Sequence, residues 1–180
     1  MDFLRTVERV SLVVNKIATS ATVILFTVMT LIVWVQIFFR FVLGGGMAWT
    51  EEIAKYLMVW MALLGASILF RDRGHIAINY FISKFSFLRY ILLFHAMVAA
   101  ALFVLLIYYG MDYAIFGFKS ISPASGITKF WPYLSIPVGG AFLLVQALTR
   151  FIHLLCTDDK KIRAEEKALA RNELRAVAES

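Results

Sequence analysis

Four apolar runs, each long enough to cross a bilayer, leave this chain few folds to choose from. A spanning helix needs about 20 mostly apolar residues, at 1.5 Å of rise each. Runs of that kind cover about 14–43, 49–72, 89–113 and 130–156. None alternates with the period of two that a strand requires, and all are long for strands. In lipid every backbone N–H and C=O must be paired within the protein, and a helix does this alone. The expected fold is therefore an all-α integral membrane protein with four transmembrane helices. Composition agrees: 61% of the 180 residues are hydrophobic and 17% are charged, against about 25% charged in a soluble domain. The uncharged stretch Ile17 to Phe39 exceeds the roughly 7–15 apolar residues of a signal-peptide core. No A-x-A site follows it, so it reads as a retained span.

The connections differ in kind. Gly44, Gly45 and Gly46 read as a tight turn between adjacent helices, since glycine tolerates positive φ. Residues 119–129 hold Ser120, Ser122, Pro123, Ser125 and Gly126 and read as an exposed loop. Pro132 suits the first turn of the fourth helix. Pro137 predicts a kink, with Gly139 and Gly140 permitting close packing there. The second connection reads IAINYFISKFSFL over 76–88. Asn79, Ser83 and Ser86 share one helical face, and Lys84 breaks the apolar run. This predicts an interfacial amphipathic helix over about 75–87, between the second and third spans. Residues 158–180 interleave both signs of charge around a sparse stripe of Leu169, Leu174 and Val177. They read as a charged, solvated C-terminal helix in the cytoplasm. The chain thus divides into a membrane domain, 1–157, and a tail, 158–180.

Orientation follows from the basic residues. Of the 18 lysines and arginines, only Arg40, Lys55, Lys119 and Lys129 lie on the side of the first and third connections. The positive-inside rule then places both termini in the cytoplasm. The net charge of +6 belongs to residues that flank apolar runs. It reads as topology and contact with phospholipid headgroups, and no basic segment carries the marks of a nucleic-acid reader.

The charges nearest the lipid are in WTEEIAKYLMVW, residues 49–60. Thr50 is an N-cap candidate for the second helix, which puts Glu51 and Glu52 where acids favour the helix dipole. Glu51 and Lys55 form an i,i+4 pair in the favourable orientation. Arg40 ends the first helix, and a bridge from it to a glutamate would lock the hairpin. The outward acids and Trp49 also suit contact with a partner protein. These readings are compatible and stay open. At the opposite end FRDRGHI, residues 70–76, groups Arg71, Arg73 and His75 around Gly74. With Lys84 and Arg89 they read as anchors for lipid phosphates, or as a docking contact for a partner's cytoplasmic end.

Chemistry has little to work with. The span centres offer Thr27, Thr30, Gly65, Ser67 and Pro137, with no charged side chain. Carriers place ionisable groups or broken helices near the midplane, so this chain does not read as a lone carrier. His75, His95 and His153 read as interfacial polar residues. A single cysteine, Cys156, builds neither a disulfide nor a metal site. No Ser-His-Asp arrangement or phosphate-binding glycine loop occurs, so no enzyme, metal or cofactor is expected. Small residues such as Ala18, Ala62, Ala66, Ala96 and Ala99 permit close helix contacts, and their surplus points to a lateral partner. Two competing classes are a self-assembling small multidrug-type exporter and a membrane cytochrome-like subunit. The first needs a glutamate near the midplane, the second a facing pair of histidines such as His95 and His153.

The stretch from Arg40 to Phe81 resembles the small membrane subunit of TRAP (tripartite ATP-independent periplasmic) transporters, the DctQ or Q-type small permease. The residues that carry the resemblance are Arg40, then Trp49, Glu51 and Glu52, then Tyr56, Trp60, Gly65 and Ala66, then Arg71, Arg73 and His75. Asn79 stands where the family more often has an acid. Length and span layout extend the resemblance over about residues 10–157. It implies a subunit of a sodium-driven, binding-protein-dependent organic-acid importer in a bacterial inner membrane. Such a subunit would scaffold a large multi-span transport subunit and help dock a periplasmic substrate-binding protein. It would carry no substrate itself, and the sodium ions would sit on the large partner.

Overall fold

A computed structural model describes residues 2–71 and 88–157, with Ile162 and Ala168 beyond them. Its helices are α1 (Asp2–Val42), α2 (Ala48–Arg71), α3 (Leu88–Gly117), α4 (Phe130–Tyr133) and α5 (Ser135–Cys156). Four segments are long and apolar enough to span: Arg5–Val42, Ala48–Arg71, Arg89–Gly117 and Phe130–Cys156, the last joining α4 to α5. The all-α, four-span architecture is therefore present. The expected interfacial helix at 75–87 lies outside the described residues, as do Arg73, His75, Lys84 and nearly all of the tail. We call the end that holds the 43–47 turn and the 118–129 loop the hairpin end. The other, where α1 begins and α5 stops, is the basic end.

Helix α1 starts about twelve residues before the apolar run that announced it. Arg5, Glu8 and Arg9 lower the hydropathy there but do not oppose helix, so the helix runs past its apolar part. At its other end the Phe39 carbonyl accepts from the amides of Leu43, 3.2 Å, and Gly45, 3.3 Å. Gly44 makes the turn at φ 66°, a conformation costly for other residues.

The fourth span is interrupted about one turn before Pro137. Regular helix lapses at Leu134, between α4 and α5. Proline lacks the N–H that would have bonded the Tyr133 carbonyl four residues back. The hydroxyl of buried Ser135 donates to the Pro132 carbonyl at 2.6 Å, adding a side-chain bond at the interruption.

Helix α5 packs against α1, α2 and α3. It approaches closely because two of its faces lack side chains. A Cβ on Gly139 would sit 2.5 Å from Leu63 Cβ of α2, and one on Gly140 would sit 3.1 Å from Ile107 Cγ1 of α3. Gly110 of α3 returns the favour, since a Cβ there would lie 2.7 Å from Ile136 Cγ2. Phe103, Leu143 and Ala147 close the core beside Phe70. Nearer the basic end Leu92, Ala96 and Leu154 bury Ile162, which is 2% exposed. The tail is thus not wholly solvated: its Ile162 packs against α3 and α5, as an apolar side chain prefers.

This packing sets a test. Gly139→Ala should destabilise the bundle by about 1–3 kcal/mol, because Leu63 Cβ belongs to a helix and cannot swing aside. Gly65→Ala should be neutral, since nothing lies within 4 Å of a Cβ there. Thermal melting of both variants in detergent checks this; equal melting temperatures would contradict it.

Candidate functional site

The polar contacts that join separate elements gather at the two ends of the bundle. At the hairpin end α2 begins at Ala48, two residues before the expected cap. Thr50 is therefore inside the first turn. It is fully buried, and its hydroxyl donates back to the Met47 carbonyl at 2.6 Å. This corrects its reading as an N-cap, which would accept from an amide. Glu51 pairs with Lys55 at 3.0 Å as expected, with both side chains more than 60% exposed. Such a pair contributes about 0–1 kcal/mol.

Glu52 does more. Its Oε1 accepts from the Tyr56 hydroxyl at 3.0 Å, and its Oε2 accepts from the Ser125 amide at 2.8 Å. The Tyr56 hydroxyl also shares a short hydrogen bond with the Ser122 hydroxyl. One carboxylate thereby ties α2 to the 118–129 loop with bonds that its charge strengthens. The loop is exposed at Lys119, Ile121, Pro123, Ala124 and Gly126, as the sequence reading expected, and it also folds on itself. Ile121 and Thr128 form an antiparallel bridge, and the Ser122 amide donates to the Ile127 carbonyl at 2.9 Å. Gly126 turns the tip at φ 69°, and Ser122 is buried. Trp60 adds a second link, from its Nε1 to the Trp131 carbonyl at 3.3 Å. Trp49 stays 40% exposed on the outer rim.

The expected Arg40–glutamate bridge is not formed. Arg40 is exposed, and the carboxylates of Glu51 and Glu52 are engaged by Lys55, Tyr56 and Ser125. The lock at this end joins α2 to the third connection, not α1 to α2. The Glu52–Tyr56 half was legible as an i,i+4 spacing. The serine half lies 73 residues away, and only loop geometry brings it in.

At the basic end Arg89 donates from Nη2 to the Leu155 carbonyl at 3.0 Å. It satisfies one of the carbonyls left open in the last turn of α5. Arg71 is partly buried and lines a cavity with Arg150 and His153. His95 stacks on Phe70 with centroids 6.3 Å apart. Ser11 and Gln146 form a buried pair across α1 and α5. The Ser11 hydroxyl donates to Gln146 Oε1 at 2.5 Å, and Gln146 Nε2 donates to the Ser11 carbonyl at 3.3 Å. The sequence signal for it was a glutamine inside an apolar run. Thr19, Thr22, Thr27 and Thr30 each donate to the carbonyl four residues back. These four hydroxyls are in this way satisfied within the helix, as lipid requires. Among the described residues no three metal-ligating side chains cluster.

Four spanning helices, polar contacts at both ends and a middle built of packing define a membrane component with no assembled chemistry among its described residues. Residues 29–157 match the family model for tripartite ATP-independent periplasmic transporters, DctQ component, and the chain belongs to that family. It is similar to a protein of Haemophilus influenzae named as a TRAP transporter small permease, 25% identical over 142 residues, 77% of this chain and 88% of the relative. It is also similar to the sialic acid TRAP transporter small permease protein SiaQ of Vibrio cholerae, 28% identical over 149 residues, 79% of this chain and 84% of the relative. The chain is accordingly a multi-pass subunit of a transporter and not an enzyme.

The Glu52 node generates a second test. Glu52→Ala frees the Ser125 amide and the Tyr56 hydroxyl. A lost hydrogen bond to a charged group is worth about 1.5–3 kcal/mol, so exchange of the 120–128 amides should rise by roughly tenfold or more. Glu51→Ala should leave that exchange unchanged. Hydrogen–deuterium exchange on both variants checks it, and equal loop protection in the two would contradict the assignment.

Proposed function

We propose that this chain is the small membrane subunit of a sodium-driven, binding-protein-dependent importer of organic acids. It scaffolds a large multi-span transport subunit and helps dock a periplasmic substrate-binding protein. It carries no substrate, and the coupling sodium ions sit on the large subunit. Both termini lie in the cytoplasm of a bacterial inner membrane, which puts the hairpin end in the periplasm.

The observation that carries this reading is α1. It is the longest helix, yet none of its most apolar window is buried, whereas 33% of the corresponding window of the fourth span is. Leu31, Trp34, Phe38 and Phe41 recur at helical spacing and are 55–79% exposed. Large aromatic side chains on one face offer broad contact for another helix bundle. We place the large subunit against this face. Membership in a tripartite transporter family supports a partner subunit, though it does not choose the face. On the periplasmic side the ordered loop, Trp49 and the exposed Glu51 form a fixed rim for the soluble partner. The name of the Vibrio relative, with sialic acid as its substrate, falls within the organic-acid class.

Two measurements test the proposal together. In cells that carry the partner subunits, Glu51→Ala combined with Glu52→Ala should abolish uptake or assembly of the complex. In liposomes this chain alone should give no substrate flux. Normal uptake and assembly in the double variant would remove the rim from the mechanism. Flux through the lone chain would overturn the subunit reading and favour the small exporter, which transports unaided.

A further inference from the structure

We propose that the cavity at the basic end is a binding site for the phosphate of an anionic phospholipid. The cavity holds about 220 Å³ between α1, α2 and α5. That is roughly seven times the ~30 Å³ share of a water molecule, which leaves ample room for a phosphodiester group. Arg71 enters from the last residue of α2, and Arg150 from α5 with His153 one turn on. Glu8 is the acid on the cavity wall and is exposed, so two guanidiniums face one carboxylate. Among the described residues Arg71 makes no ion pair. Guanidinium groups from two helices offer the planar, paired donors that phosphate accepts.

Depth and surroundings favour a lipid as the source of that phosphate. Arg150 lies six residues before the end of α5, roughly 9 Å along the axis. Both arginines therefore stand within two turns of a helix end, in the headgroup zone where basic pockets between helices hold anionic lipids. The polar wall of Ser11 and Gln146 closes the inner side, with its hydrogen bonds already made. Leu12 forms the lip on α1 and is 52% exposed, and Val13 and Ile17 on the adjoining face are exposed at 58% and 53%. A phosphate seated on the arginines would thus have somewhere to lay its acyl chains. A free anion would use only the polar half. The site depends on the membrane placement of the helices and not on any role in transport.

Native mass spectrometry of the delipidated full chain in detergent tests this, with dioleoyl phosphatidylglycerol, dioleoylglycerol and inorganic phosphate as separate probes. The expected result is one phosphatidylglycerol adduct, weakened roughly tenfold by Arg71→Gln and by Arg150→Gln, as loss of charged hydrogen bonds predicts. Arg5→Gln, exposed and off the cavity, should leave the adduct unchanged. Dioleoylglycerol should not bind, and phosphate should not displace the lipid. Equal lipid binding in all variants would overturn the site. Equal binding of dioleoylglycerol would overturn phosphate recognition, and displacement by phosphate would reassign the cavity to a free anion. Arg71→Gln, at the end of α2, decides the case alone if Arg150→Gln does not fold.

Discussion

Helix α5 can lie against both α2 and α3 only because glycine removes its side-chain volume on the two facing sides. In a bilayer the hydrophobic effect does not press helices together, since lipid tails are as apolar as leucine. Close van der Waals contact has to supply the association, and it falls away steeply with distance. The Gly139–Leu63 and Gly140–Ile107 approaches set that distance. Other contacts follow from it. Gln146 reaches Ser11, Leu154 reaches Leu92, and Trp131 comes within a hydrogen bond of Trp60.

Around this packed middle, charge is kept to the ends and used there for positioning. Glu52 uses its carboxylate to hold a loop amide and a tyrosine, which ties the loop to α2. Arg89 closes the end of α5, and Arg71 and Arg150 face a cavity. A carrier needs charge or broken helix near the midplane. Among the described spans the interruption at Leu134 lies near the hairpin end, with Ser135 bonded to the Pro132 carbonyl. A structure of this kind suits a part that holds others in place. The first span has none of its most apolar window buried inside the chain.

How much of this was legible in the sequence depends on the range of each interaction. The four spans were readable because helix in lipid is dictated by local length and hydropathy. Gly139 and Gly140 were readable as close-packing sites because small residues inside an apolar run have few other uses. The start of α1 was not, since charges at Arg5, Glu8 and Arg9 end a span without ending a helix. Thr50 was misplaced because the helix recruits Ala48 and Trp49 before it, and a threonine within a helix bonds backwards. The Arg40 bridge assumed that neighbours across a turn must pair. The carboxylates instead found closer partners, one of them on a loop far along the chain. Ser11–Gln146 spans 135 residues, a separation over which no local pattern speaks.

We propose that this chain works only as part of a larger membrane assembly. The most direct measurement is purification of the tagged chain from its native membrane in mild detergent, with a photoreactive residue in place of Trp34 and mass spectrometry of what is captured. The account predicts a large multi-span membrane protein at near-equal amount, crosslinked through α1. Recovery of the chain alone, or crosslinked only to copies of itself, would contradict it.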